Sequence, residues 1–254
     1  MCRVLGGLTE LSAADRARYE WQLDVEGLGE SGQLALKGSS ALVTRCGGLG
    51  GVVAFELAAA GVGRLVLAHG GVLRESDLNR QLLARADRLG ESRIQTFVER
   101  LREFNDSIEI EGYSENVGPE NVERLVSSVD LVVDCAPLFE ERFLLNSETV
   151  KQRKPMVEAA MYEMETHLTT FLPGHTPCLK CLYPERPKYW RRRFPVFGAV
   201  SGSLGCLAAM EVIKTITGIG DPLFGAMLVG DLRDMSFRKV KLARNLSCSE
   251  CGSG

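Results

Sequence analysis

Hydrophobic positions along the chain fall into short apolar runs that alternate with longer stretches of helical period. Residues 8–30 read as a helix followed by a glycine-rich turn, with Ser12 placed to cap the run that stops before Gly27 and Gly29. Ala41-Leu42-Val43-Thr44 is an apolar strand, Gly47-Gly48-Leu49-Gly50-Gly51 a tight turn, 52–60 an apolar helix and 64–68 a second strand. Strand, glycine turn, helix and strand within about 30 residues form a βαβ unit whose strands run parallel. The alternation continues with a helix over 91–104, which shows Ile94, Phe97, Val98 and Leu101 on one face, and a strand over 108–113. A helix at 119–128, the nearly all-apolar strand 129–135, a helix at 139–151 and a strand at 156–160 follow.

Beyond that point the texture changes. Residues 167–172, 225–230 and 235–242 alternate like antiparallel strands, and between them 197–217 is a long helix carrying Gly198, Ser201, Gly202, Gly205 and Ala209. Such small residues let another backbone come close, from the sheet or from a second subunit. The pattern predicts an α/β protein with a Rossmann-like, doubly wound, mostly parallel sheet, antiparallel C-terminal strands and a structural zinc site. It is expected as a single domain over 1–254, with an N-terminal helical segment (8–35), a nucleotide-binding half (40–161) and a zinc-bound C-terminal half (162–254).

Composition narrows the function classes. The chain has 254 residues, 45% hydrophobic and 25% charged, with net charge −3. This balance lacks the concentrated basic face that nucleic acid requires, so no nucleic-acid partner is expected. The densest basic cluster, 188–193, interleaves Tyr189 and Trp190 and reads as a solvated loop or an anion contact. No stretch reads as the roughly 20 apolar residues of a membrane span, and the start MCRVLGG lacks a leader's basic and apolar regions. The expectation is a cytoplasmic protein with no membrane partner.

Eight cysteines in such a chain point to metal rather than to disulfides. Cys178-Leu-Lys-Cys181 and Cys248-Ser-Glu-Cys251 are two C-x-x-C knuckles separated by 66 residues, enough thiolates for a closed, structural zinc shell. The alternative is two unrelated pairs of reduced or redox-active thiols. Zinc would tie the C-terminal end to the loop after the 167–172 strand. Cys2, Cys46, Cys135 and Cys206 are isolated in sequence, and Cys135 and Cys206, lying in apolar runs, read as inert core residues.

The runs GGLGG with LAAAGVGRLVL (47–67), DLNRQ (77–81), VDLVVDC (129–135), KPMVEAAM (154–161), TPCLKCLYPE (176–185) and FGAVSGSLGCLAAMEVIKTITG (197–218), with the last knuckle, resemble the ThiF/MoeB/HesA superfamily, relatives of ubiquitin-activating enzymes. KPMVEAAM, the Gly70-Gly71 pair and the PERPKYWRRRFPVFGAVSG stretch are most similar to the HesA branch, associated with nitrogenase and metal-cofactor assembly. The resemblance implies a homodimer that uses ATP and Mg2+ to adenylate a carboxylate, usually the C-terminus of a ubiquitin-like sulfur carrier, or a cofactor-assembly partner. Glycine-turn amides would hold the phosphates.

Position by position the nucleotide site departs from that pattern. Arg45 replaces the first glycine of the motif, leaving Gly47, Gly48 and Gly50 and directing a guanidinium toward the phosphates. His69 and Gly71 replace the acidic pair expected at the ribose, with Glu75 and Asp77 as nearby carboxylates. Arg80 and Gln81 match the phosphate-side pair, Asn79 sits beside them, and Arg93 replaces a lysine. Pro137 falls where a magnesium-organising aspartate is expected, and Trp21 where an arginine would reach the partner's ATP, with Arg18 nearby. No cysteine lies between Cys181 and Phe197 to form a thioester. Two readings follow: an adenylyltransferase with Arg80 and Arg93 as catalytic groups and Arg45 also on the phosphates, or an inactive zinc-binding scaffold that partners an active paralogue.

Overall fold

The structure, a computed structural model, describes residues 10–187 and 195–252, so the basic cluster at 188–193 and Cys2 lie outside the described residues. The chain opens on α1 (Ala13–Arg18), capped as expected: Ser12 Oγ accepts from the Asp15 amide at 3.0 Å and the Asp15 carboxylate accepts from the Ser12 amide at 2.9 Å. The helix expected ahead of the glycine turn is in two pieces, and a further helix follows the turn. Tyr19, buried against the core, ends α1; α2 is Glu20–Leu23; Gly27 and Gly29, at φ +86° and +55°, reverse the chain into α3 (Gly29–Lys37).

The βαβ unit is β1 (Ser40–Thr44), α4 (Gly48–Ala60) and β2 (Arg64–Ala68). The helix begins inside the glycine run, and Gly61 in the left-handed conformation closes it. Next come α5 (Arg93–Phe104), β3 (Glu109–Tyr113), α6 (Val122–Ser127), β4 (Leu131–Asp134), α7 (Phe139–Gln152) and β5 (Met156–Tyr162). The last part is β6 (Glu165–Phe171), α8 (Leu179–Leu182), α9 (Gly198–Thr217), β7 (Ala226–Asp231) and β8 (Ser236–Lys241).

All eight strands join one sheet in the order β3-β2-β1-β4-β5-β6-β7-β8, parallel from β3 to β5 and antiparallel from there on. Strand alternation sorts the core to two faces. Ala41, Val43, Leu65, Leu67 and Val133 pack with α4, α5 and α9, whereas Leu42, Val66 and Val132 pack with α6 and α7.

The small residues of α9 serve the close approach expected of them. A Cβ added at Gly205 would lie 2.7 Å from Val52 Cβ and 3.1 Å from the Leu49 carbonyl, so α9 crosses α4 nearly backbone to backbone. Two expectations need correction here. Cys206 is exposed on the outer side of α9, its Sγ 3.9 Å from Glu56 Oε1, because only the face carrying Val200, Leu204, Ala208 and Val212 turns inward; Cys135 is buried as expected. And α9, at 20 residues and mean hydropathy 1.4, does have the length and composition of a membrane span. Here those properties make a core helix, with buried Glu211 accepting from Thr170 Oγ1 at 2.8 Å and from the Leu223 amide at 2.7 Å.

Candidate functional site

The winding order reverses between β1 and β4, parallel neighbours whose onward connections leave to opposite sides of the sheet. In open α/β sheets such a switch opens a crevice at the carboxyl ends of the strands. The turn after β1 and the loop after β4 form its two lips. On the first, Gly50 lets α4 press onto β1: a Cβ there would meet the Arg45 carbonyl at 2.8 Å and the Thr44 carbonyl at 3.0 Å. Gly48 leaves room for Ser201 Oγ, which a Cβ would approach to 2.9 Å, and for the Arg80 stem.

Arg45 adopts φ +52°, a left-handed conformation that costs a non-glycine residue about 1 kcal/mol. Its amide donates to the Ala68 carbonyl at 2.8 Å. The guanidinium turns to α7, where Nε donates to the two Glu141 carboxylate oxygens at 2.7 and 3.0 Å and Nη2 adds a further bond. The side chains are only 10% and 7% exposed, so a buried ion pair now spans the crevice.

The 3-10 turn Glu75–Asp77 and the residues after it carry the other predicted groups. Asp77 gathers them: Oδ1 accepts from Gln81 Nε2 at 2.8 Å and Arg80 Nη2 at 3.3 Å, and Oδ2 from Arg93 Nη2 at 2.7 Å and the Arg74 amide at 3.0 Å. Asn79 Oδ1 accepts from Arg80 Nη1 at 3.1 Å. Arg93 Nη1 also reaches His69 Nε2 at 3.0 Å. Burial, with the Arg93 and Arg45 charges beside it, pushes His69 down to about 3, so the imidazole is neutral. Gly47, Gly48, Arg80, Gln81 and Arg93 thus converge, and the spacing of Asp77 to Arg80 and Gln81 was the overlooked signal for its role as their shared acceptor.

Three buried atoms of this cluster lack a hydrogen-bond partner: His69 Nδ1, Gln81 Oε1 and Arg93 Nε. Orphaned buried polar atoms are rare, and three beside a glycine turn fit a ligand with several polar groups, as ATP is. Magnesium fits poorly. Asp77 is engaged by two arginines, Glu141 by Arg45, and Asp134 and Glu158 by Arg142, while position 137 offers proline.

That second ionic cluster was missed in the sequence, although isolated charges in apolar strands must find partners. Arg142 Nη1 donates to Asp134 Oδ2 at 3.1 Å and also to Glu158, and Nη2 to the Ala159 carbonyl at 3.0 Å. Burial raises Asp134 to about 6, against the pull of Arg142. Beside it opens a cavity of about 310 Å³, lined by Leu49, Ala136, Pro137, Met161, His167 and Tyr183 among others.

The four-cysteine centre packs against Val150, near the end of α7. Cys178 Sγ is 3.7 Å from Cys248 Sγ, Cys181 Sγ is 3.4 Å from Cys251 Sγ, and all four sulfurs lie within 4.8 Å of one another. Tetrahedral zinc with Zn–S bonds of about 2.3 Å sets sulfurs about 3.8 Å apart, so the thiols fit zinc with no open position. Among the described residues this is the one group of three or more His, Cys, Asp or Glu side chains placed to share a metal.

Residues 19–250 match the ThiF family. The chain is 49% identical to the heterocyst HesA protein of Trichormus variabilis over 97% of its own length and 92% of that protein's, and 52% identical to HesA of Nostoc sp. over 89% of each. It is 35% identical to the adenylyltransferase and sulfurtransferase MOCS3 of Drosophila ananassae, covering 96% of itself and 55% of that longer protein. In fold it resembles E. coli MccB solved with ATP, with a TM-score of 0.81 and 21% identity over 96% of this chain and 75% of MccB.

Proposed function

The chain belongs to the ThiF family, and on that premise we propose that it binds ATP at the glycine turn and transfers the adenylyl group to a carboxylate. The carboxylate oxygen attacks the α-phosphorus, the bond to the β-phosphate oxygen breaks, and pyrophosphate leaves. The acyl adenylate then offers AMP as leaving group to a sulfur donor or a metal-cofactor assembly step. The natural carboxylate is the C-terminus of a ubiquitin-like sulfur carrier, a reading supported by the adenylyltransferase and sulfurtransferase name of MOCS3 and by a structure of MccB together with MccA.

The observation that carries this reading is the set of unpartnered buried atoms, on His69, Gln81 and Arg93, gathered at a glycine turn. Gly47, Gly48 and Gly50 bring the backbone close to the phosphates, Arg80 and Arg93 are the catalytic cations, and Arg45, Asn79 and Gln81 complete the binding set. The cavity beside Pro137 receives the carboxylate end. Zinc at Cys178, Cys181, Cys248 and Cys251 is structural, and reduced thiols suit the cytosol. A second copy covers the outer face of α9, where Leu207, Met210 and, just before the helix, Phe197 are exposed.

A second reading is favoured by one observation: the guanidiniums of Arg45, Arg80 and Arg93 are all engaged in ion pairs. A scaffold that holds nucleotide without turnover, beside an active paralogue, would have this appearance. ATP–pyrophosphate exchange in the presence of a ubiquitin-like carrier separates the two. Exchange that disappears in Arg80→Ala supports catalysis, and ATP binding without exchange supports the scaffold.

A further inference from the structure

Among the described residues, the four buried carboxylates at the crevice are each already held by a guanidinium. Asp77 serves Arg80 and Arg93, Glu141 serves Arg45, and Asp134 and Glu158 share Arg142. The loop 135–138, Cys-Ala-Pro-Leu, supplies no side-chain oxygen. A divalent cation would have to uncover a buried arginine to gain its first carboxylate ligand, and hard cations of this kind depend on such oxygens.

A phosphate chain meets the opposite balance. Arg45 is part of the glycine turn, its guanidinium bonds through the Nε and Nη2 edge, and the group on that edge is a carboxylate. Phosphate presents the same pair of acceptor oxygens to a guanidinium and carries more charge. Its arrival at the turn therefore places two anions in competition for one cation. The buried surroundings leave Arg45 little water to pair with instead, so its charge follows the stronger acceptor.

We propose that a polyphosphate at this turn is neutralised by Arg45, exchanged from Glu141, rather than by a divalent metal, so that Glu141 is a positioning residue that sets the affinity. The inference rests on the reading that the turn receives the phosphates of a nucleotide.

Inorganic tripolyphosphate is the probe, titrated by calorimetry into the zinc-loaded full chain with magnesium and in magnesium-free buffer. The wild type is expected to bind with Kd values within about threefold of each other in the two buffers. Glu141→Gln, nearly isosteric, is expected to bind about tenfold more tightly. Arg45→Gly/Glu141→Gln removes both charges, returns a glycine to a left-handed backbone position, and is expected to bind at least about tenfold more weakly than the wild type without magnesium. Binding that needs magnesium, a Glu141→Gln affinity equal to the wild type, or a double variant as tight as the wild type overturns the exchange. In each of those cases unimpaired ATP binding leaves the nucleotide reading standing, whereas failure of every form to bind either ATP or tripolyphosphate overturns both.

Discussion

His69 Nε2 accepts a hydrogen bond from Arg93 Nη1 at 3.0 Å, which places the imidazole proton on Nδ1, the buried atom without a partner. With its pKa held near 3 by burial and by Arg93 and Arg45, this histidine is neutral in the fold and charged in the unfolded chain below about 6.5. A depressed folded pKa gives stability that is complete above pH 6.5 and is lost as pH falls toward 3. Asp134, raised to about 6, acts in the reverse sense between pH 6 and its ordinary 3.8, adding stability as pH falls. His69→Gln, which keeps an acceptor for Arg93, is therefore expected to lose at least about 1 kcal/mol less stability than the wild type between pH 7.5 and pH 4.5. Urea melts at the two pH values check this, and parallel losses in both proteins would refute the assignment.

The close seating of α4 on β1 predicts a large effect for a small substitution. Gly50→Ala would bring a methyl group within 2.8 Å of the Arg45 carbonyl and 3.0 Å of the Thr44 carbonyl, and neither backbone can withdraw cheaply. A loss of about 2 kcal/mol is expected, in the range of overpacking in a tight core. Gly202→Ala in α9 is the control, since nothing lies within 4 Å of its added Cβ. Equal stability of the two variants would show that the turn is not as tight as described.

Zinc is expected at one equivalent per chain. Its removal frees the segment around Cys248 and Cys251 from α8 and should lower the thermal midpoint by about 10 °C. Metal analysis with a chelator-treated melt measures both quantities. A chain containing no zinc and melting unchanged after chelation would return the four thiols to their other reading, two independent pairs.

The outer face of α9 supplies a test of assembly. Met210, 50% exposed, and Leu207 lie on the side of the helix that α4 and the sheet leave uncovered. Met210→Glu is expected to shift sedimentation from dimer to monomer with little change in folding, because a charge there is unburied in the single chain. A wild-type protein that sediments as a monomer would remove the proposed partner from that face.

Most of the sheet could be read from the sequence because β1, β2 and β4 are continuous apolar runs bounded by turns, and the four-cysteine cluster because C-x-x-C spacing is local chemistry. The turn at Gly27 and Gly29 was legible in the sequence, but the break in the helix before it was not, because the packing of Tyr19 interrupts a pattern that looks continuous. The phase of α9 was illegible at Cys206, since glycine, alanine and serine populate both of its faces. At the crevice the sequence showed Arg45 arriving on the turn but not its acceptor, because Glu141 lies 96 residues away on another element. Asp77 was visible only as a nearby carboxylate: its hold on Arg80 and Gln81 is local spacing that was overlooked, whereas its hold on Arg93 depends on the fold bringing α5 beside the 3-10 turn.

Calorimetric titration of ATP into the zinc-loaded chain tests the central claim most directly. The account predicts saturable binding at one site per chain, weakened at least about tenfold in Arg80→Ala through loss of a phosphate contact that costs about 1.4 kcal/mol or more. A protein that is folded and zinc-loaded yet gives no binding heat, with the same thermal midpoint with and without millimolar ATP, would contradict it.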